Sequence, residues 1–213
     1  VNWARTILLT LIAKPLARLL TGADVVGREH LPVRGPAIIA ANHNSHVDTL
    51  LLLTIFPASV LSKVRPAAAS DYFLRDPVIG WFSKNLIGIV PVARDKVRDG
   101  EDILAPAREA LEAGDIVIVF PEGTRGDASD DMGRLKNGVA RLAEACPQAP
   151  VIPVWIQGAG RVLPKGKVIP VPMNCTVLVG PAVRWQGRRT PFMEALRDGL
   201  EALKAAAPPQ RWT

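Results

Sequence analysis

The chain reads as a single α/β domain with a mostly parallel or mixed central sheet flanked by helices, preceded by an N-terminal amphipathic, membrane-associating helix or helix pair. Three observations predict this. From about residue 24 onward, short apolar runs rich in β-branched residues alternate with segments of helical period, the pattern of a sheet built with helical crossovers. The 213-residue length suits one well-buried domain, since domains usually take roughly 100 to 200 residues. The first 22 residues are instead leucine-rich and interrupted by cations. We therefore divide the chain into an interfacial helix region, 1–22, and an α/β domain, 23–213.

In order, the opening segment "VNWARTILLTLIAKPLARLLTG" is too charged to cross a bilayer. Arg5, Lys14 and Arg18 interrupt it, whereas a span needs about 20 mostly apolar residues. At the helical period Leu8, Leu9, Leu11, Ile12, Leu16, Leu19 and Leu20 share one broad face, and Thr10, Lys14, Arg18 and Thr21 gather on the other. A helix of this kind lies in the headgroup region of an anionic membrane, with Trp3 as an interface anchor. The alternative is a surface helix packed on its own domain. Pro15 is expected to kink or split it. No small-residue cleavage site follows, so the segment does not read as a secretory leader.

Beyond it come the strand-like "VVG" and "PAIIAAN", a helix over "HVDTLLLLTIF", the run "RPAAAS", the amphipathic "DPVIGWFSKN" and the run "LIGIVPV". A helix near "DGEDILAPAREALEAG", a strand "DIVIVF", a helix over "RLKNGVARLAEA", strands "VIPVWI" and "CTVLVG", and a last helix "PFMEALRDGLEALKAA" complete the chain.

Composition narrows the function classes. The 48% hydrophobic and 22% charged content is that of a globular chain, and 19 prolines with 17 glycines imply short elements separated by firm turns. Cys146 and Cys175 lie far apart with no short Cys spacing, so neither a zinc knuckle nor a disulfide framework is indicated, and a reducing compartment fits best. The net charge of +6 favours an anionic partner: nucleic acid, a phospholipid surface or a phosphorylated small substrate. Nucleic acid is disfavoured, because there is one tyrosine, no dense Lys/Arg run and no binding module.

Three polar motifs follow apolar runs, where the carboxyl ends of strands form binding sites in α/β sheets. They are "NHNSHVD" after "PAIIAA", "VAR" after "GIVP", and "PEGTR" after "DIVIVF". In the first, Ser45 with Asp48 three residues on reads as a capping box, so a helix starts near His46 and leaves His43 outside it. The chain can then fold His43 back against Asp48, whose carboxylate holds one imidazole nitrogen and leaves the other as a base. Two other readings stand beside this dyad. His43 and Asp48 are capping and turn residues only, or His43, His46 and Asp48 hold a metal, as in a metal-dependent hydrolase, although their spacing matches no strong ligand pattern.

The stretch "FPEGTRG" contains Pro-Glu-Gly-Thr, which alone is a good type I turn. Its additions favour phosphate: Gly123 permits close backbone approach, the Thr124 hydroxyl donates, and Arg125 offers a planar fork. Glu122 would repel a phosphate and is assigned to holding the arginine or a substrate hydroxyl. Arg94 and Lys136 add cations at loop and helix-start positions; singly such residues are solvated surface.

Together these motifs resemble those of the glycerolipid acyltransferases typified by 1-acylglycerol-3-phosphate acyltransferase. "NHNSHVD" is similar to the family's first motif, Asn-His, four residues, Asp; "GIVPVAR" to its second, a Gly followed six residues later by Arg; "FPEGTRG" to its third; "VIPVWI" to its fourth. "RLKNGVARLA" resembles the Lys-x-Gly stretch after the third. All stand in family order within residues 42–156. Gly126, Pro91 and Ala93 depart from common family residues, which bears on acceptor preference more than on reaction type. The resemblance implies a general base at His43, an orienting partner at Asp48, and an acceptor-phosphate site of Arg94, Glu122, Gly123, Thr124 and Arg125, with Lys136 nearby. It implies an acyl-CoA or acyl carrier protein thioester as co-substrate, no cofactor or metal, a lysophospholipid acceptor, and a peripheral or monotopic place on the cytoplasmic face of the membrane.

Overall fold

Alternate residues of the central strands feed two separate cores, which is why their sequences are apolar throughout rather than alternating. In β2 (Ala37–Ala41) every residue is buried. Ile39 faces one core with α3 (Val47–Ile55), whereas Ile38 and Ala40 face the other with α5 (Ala105–Glu112), α6 (Gly138–Ala145) and α8 (Arg189–Ala206). Each isoleucine so enclosed contributes about 1.5 to 3 kcal/mol relative to exposure. The computed structural model describes residues 3–45, 47–69, 87–92, 102–123, 132–163 and 169–209.

The remaining strands are β1 (Asp24–Val26), β3 (Val64–Ala69), β4 (Val90–Val92), β5 (Ile116–Val119), β6 (Val151–Gln157) and β7 (Thr176–Val179). They form one seven-stranded sheet in the order β1-β7-β6-β2-β5-β3-β4. Every neighbouring pair is parallel except β6 and β7, which run antiparallel, so the sheet is mixed with a five-stranded parallel body. In this arrangement β2 lies between β5 and β6, and the carboxyl ends of all three open on one edge. The expected strands are present, β4 being shorter than its apolar run. The amphipathic stretch at 76–85 lies outside the described residues.

Helix α8 shows how period alone places an element. Phe192, Leu196 and Leu200 recur every fourth residue and are its buried positions, and Arg189 fastens its start to α6 through Glu144 at 2.7 Å.

Ahead of Pro15, where a kink or split is expected, the N-terminal segment changes its winding while the backbone stays right-handed helical through Leu8, Ala13 and Lys14. Helix α1 (Trp3–Leu8) passes into a π-helical stretch, Leu9–Ala13, and then α2 (Lys14–Thr21), with proline in its first turn. Proline supplies no N–H to the turn before it, and the wider turn absorbs the mismatch. The extra residue in the wider turn changes which residues face the domain. Arg5 is buried, donating to the carbonyls of Leu61 (2.8 Å), Val64 (2.5 Å) and Ile87 (2.8 Å). Burial, then Arg65, lowers its pKa to about 10, which leaves it charged at neutral pH. Lys14 turns inward to the carbonyl of Phe56, just beyond the end of α3, at 2.9 Å, where a cation suits the helix dipole.

This corrects the expected division of faces. Lys14 and the buried Thr21 belong to the packed side, Leu9 is buried, and Leu8 and Leu20 are half-buried. Trp3, Ile7, Leu11, Ile12, Leu16 and Leu19 remain exposed. A helix packed through cations with its large apolar residues outward inverts the ordinary soluble pattern.

Candidate active site

Where β2 ends, a side chain prolongs its pairing with β6. Asn42 accepts from the Ile156 N–H at 2.6 Å and donates to the Ile156 carbonyl at 2.9 Å, doing for the departing chain what a peptide group does in the ladder. Both residues are buried. The next residue, His43, is thereby held at the mouth of the sheet.

Its ring meets Asp48 across the first turn of α3, with His43 Nδ1 2.9 Å from Asp48 Oδ2. The same oxygen accepts the N–H groups of Asn44 (2.7 Å) and Ser45 (2.8 Å). Half of the expected capping box is therefore realised: the carboxylate reaches back to Ser45, while the Ser45 hydroxyl accepts from Val47 rather than Asp48 and donates to the Leu163 carbonyl at 2.9 Å. Asp48 is 1% exposed and the His43 side chain 18%. With Nδ1 turned to the carboxylate, Nε2 is the nitrogen left for a substrate proton.

Phe120, the first residue after β5, fixes the imidazole plane. Its ring stacks on His43 with centroids 4.0 Å apart and planes 20° from parallel. The tight turn then spans Phe120–Gly123, one residue earlier than Pro-Glu-Gly-Thr suggested, closed by the Gly123 N–H on the Phe120 carbonyl at 2.9 Å. Pro121 so takes the second position, which proline prefers. Gly123 has φ of +71°, a left-handed value open to glycine.

Glu122 is buried beneath this turn and ties it to the histidine loop. One carboxylate oxygen accepts the His43 N–H and the other the Gly133 N–H, each at 3.3 Å. Desolvation raises its pKa, opposed by those two hydrogen bonds and the nearby His43, while Asp48 adds to the rise. Its neighbours here are main-chain donors of two loops. Lys136 donates its own N–H to the Pro121 carbonyl at 2.8 Å, and its amine lies over Gly123, where an added Cβ would sit 2.7 Å from Nζ.

Five of the sequence-derived site residues are thus gathered at one edge: His43, Asp48, Glu122, Gly123 and Lys136. Arg94, Thr124 and Arg125 lie outside the described residues, as does His46. The metal reading gains no support: it needs His46, outside the described residues, and among those described no group of three or more His, Cys, Asp and Glu side chains is placed to hold an ion. Asn42 and Phe120 were not singled out from sequence as site residues. Their positions beside the histidine and before the Pro-Glu-Gly turn were the available signals.

This arrangement provides a base with a buried orienting carboxylate and a cation beside a glycine turn, with no protein nucleophile on the base among the described contacts. It suits deprotonation of a substrate hydroxyl. Comparison with known proteins identifies the family. Residues 22–157 match the family model described as Acyltransferase. A chloroplastic 1-acyl-sn-glycerol-3-phosphate acyltransferase of Brassica napus is 33% identical over 145 residues, 67% of this chain and 39% of that protein. A 1-acyl-sn-glycerol-3-phosphate acyltransferase of Pseudomonas aeruginosa is 29% identical over 94% of this chain and 73% of its own. The chain therefore spans about two fifths of the chloroplast relative and most of the bacterial one. The crystal structure of the 1-acyl-sn-glycerophosphate acyltransferase PlsC from Thermotoga maritima superposes with a TM-score of 0.68 at 26% identity, covering 95% of this chain and 83% of that one. Matched by that model over more than half of its length, this chain belongs to the acyltransferase family.

Proposed function

We propose that this protein transfers an acyl chain from an acyl thioester, acyl-CoA or acyl carrier protein, to the free hydroxyl of 1-acylglycerol-3-phosphate, giving phosphatidic acid. The observation that carries the reading is the His43–Asp48 pair at 2.9 Å beside the Phe120–Gly123 turn. His43 Nε2 takes the hydroxyl proton as the oxygen attacks the thioester carbonyl. Asp48 holds the tautomer and stabilises the imidazolium. Collapse of the tetrahedral intermediate breaks the C–S bond, and the imidazolium returns the proton to the leaving thiolate. We assign the acceptor phosphate to Arg94, Thr124 and Arg125 together with Gly123 and Lys136. Glu122 serves this site by holding the turn against the histidine loop.

The exposed apolar face of the N-terminal helices supports a peripheral seat on the membrane that holds acceptor and product, on the cytoplasmic face where thioester donors are available. No described helix is long and apolar enough to cross a membrane. A panel of lysolipid acceptors, assayed with one acyl-CoA by thiol release and diacyl product, tests the assignment. Preference for the phosphate monoester is expected, with KM for that acceptor rising in Arg125→Ala. Equal use of acceptors lacking a phosphate monoester would overturn the acceptor.

A further inference from the structure

We propose that Ile169–Val171 is a second membrane anchor, seated with the N-terminal helices in the same anionic lipid surface. This rests on the membrane reading above and extends it to an element far away in sequence. Ile169 is 76% exposed and Val171 54%, yet their segment is not a loose loop. The Val171 N–H is held by the Val162 carbonyl at 2.8 Å, the Met173 N–H by Leu20 at 3.0 Å and the Cys175 N–H by Thr21 at 2.7 Å. These bonds lay the segment along the end of α2, where Leu19 is 77% exposed and Leu16 also faces outward. Val171 is two residues from the bond to Leu20, a reach of at most about 7 Å.

Backbone chemistry favours lipid over water. Between residues 170 and 173 the chain is Pro-Val-Pro-Met. The prolines have no N–H, and the N–H groups of Val171 and Met173 are both bonded within the protein. From Pro170 to Met173 every backbone donor is absent or satisfied, so this stretch enters the acyl boundary without stranding a polar hydrogen.

Charge selects the kind of surface. Arg18 and Arg28 are exposed and lie close enough to Lys14 that, after burial, their repulsion helps lower its pKa. Arg18 directly precedes the exposed Leu19 in α2, on a chain of net charge +6. An anionic bilayer complements it, whereas a second copy of the chain would bring like charges together. The anchor is also tied to the dyad: the Leu163 carbonyl, next to the Val162 that holds Val171, accepts the Ser45 hydroxyl two residues from His43. Seating this segment sets the base at headgroup height, where a lysolipid presents its hydroxyl.

The test uses the full chain with vesicles of phosphatidylcholine containing phosphatidylglycerol. Wild type, an Ile169→Ser and Val171→Ser double variant, and a Leu16→Ser and Leu19→Ser double variant are compared by sedimentation. Both variants should partition about tenfold less, as expected for withdrawing two apolar side chains from the interface. The first should keep wild-type turnover on a monomeric short-chain acceptor, which separates anchoring from misfolding. A fluorophore on Ile169→Cys should be quenched by lipids brominated on their acyl chains. Weakened binding in the helix variant alone, with Ile169 unquenched, overturns the second anchor and leaves the membrane reading standing. Wild type that binds no vesicle overturns both.

Discussion

Asp48→Asn isolates the electrostatic part of the proposed catalysis. The carboxylate lies 2.9 Å from His43 Nδ1, almost fully buried. When His43 takes the hydroxyl proton, the two unit charges are centred about 4 Å apart, and with an effective dielectric of about 20 their attraction is about 4 kcal/mol. Asparagine keeps an oxygen for the Asn44 and Ser45 N–H groups and for the neutral imidazole, but provides no charge. Its amide nitrogen falls where Asp48 Oδ1 now sits buried, with no hydrogen-bond partner among the described residues. The transition state should therefore lose about 4 kcal/mol, or about a thousandfold in kcat. The ground state loses less, about 1 to 3 kcal/mol of folding stability. The assay is thiol release under saturating donor and acceptor, with urea unfolding of the same preparation. A kcat within about threefold of wild type, or an effect confined to KM, would refute an imidazolium stabilised by Asp48.

Other outcomes follow from neighbouring contacts. Asn42→Ala leaves the buried N–H and carbonyl of Ile156 without their partner and should cost about 2 to 5 kcal/mol in urea unfolding, with kcat falling as well; an unchanged midpoint would contradict the clamp. Arg5→Met removes the donor from three carbonyls and should cost about 2 to 4 kcal/mol by the same measurement, less than the sum of its bonds because a buried charge goes with it. For Glu122, burial raises the folded pKa, so between the unfolded and folded values the folded chain binds more protons. Its contribution is full below the unfolded value, about 4.3, and falls as pH rises through the folded one. Glu122→Gln lacks that slope, and the stability of wild type minus variant should decline with rising pH across this window; a flat or rising difference would contradict the desolvated carboxyl.

The parallel body of the sheet was legible in the sequence because β2, β5 and β6 are buried on both faces, so burial alone writes itself as "AIIAA", "IVIV" and "VIPVWI". The dyad was legible because it is local: Asp48 stands five positions after His43, and the helix start dictates how they meet. What lay hidden depended on distant partners. Asn42 is clamped to Ile156, 114 positions away, and the Phe120 ring reaches His43 only when β2 and β5 lie side by side. In the N-terminal helices the outward apolar face of Leu11, Ile12, Leu16 and Leu19 was legible, whereas the inward turn of Arg5 and Lys14 was not. A uniform 3.6-residue wheel cannot anticipate the π-helical turn, and a cation amid leucines reads as exposed until the carbonyls of Leu61, Val64 and Ile87 draw Arg5 inward.

The most direct measurement compares wild type with His43→Ala, supplying acyl-CoA and 1-acylglycerol-3-phosphate and following free thiol and phosphatidic acid together. If His43 is the base, both products should fall in step by at least about a hundredfold, the usual range for losing a general base, while the unfolding midpoint stays near that of wild type. Undiminished release of both by the variant would contradict the dyad mechanism outright.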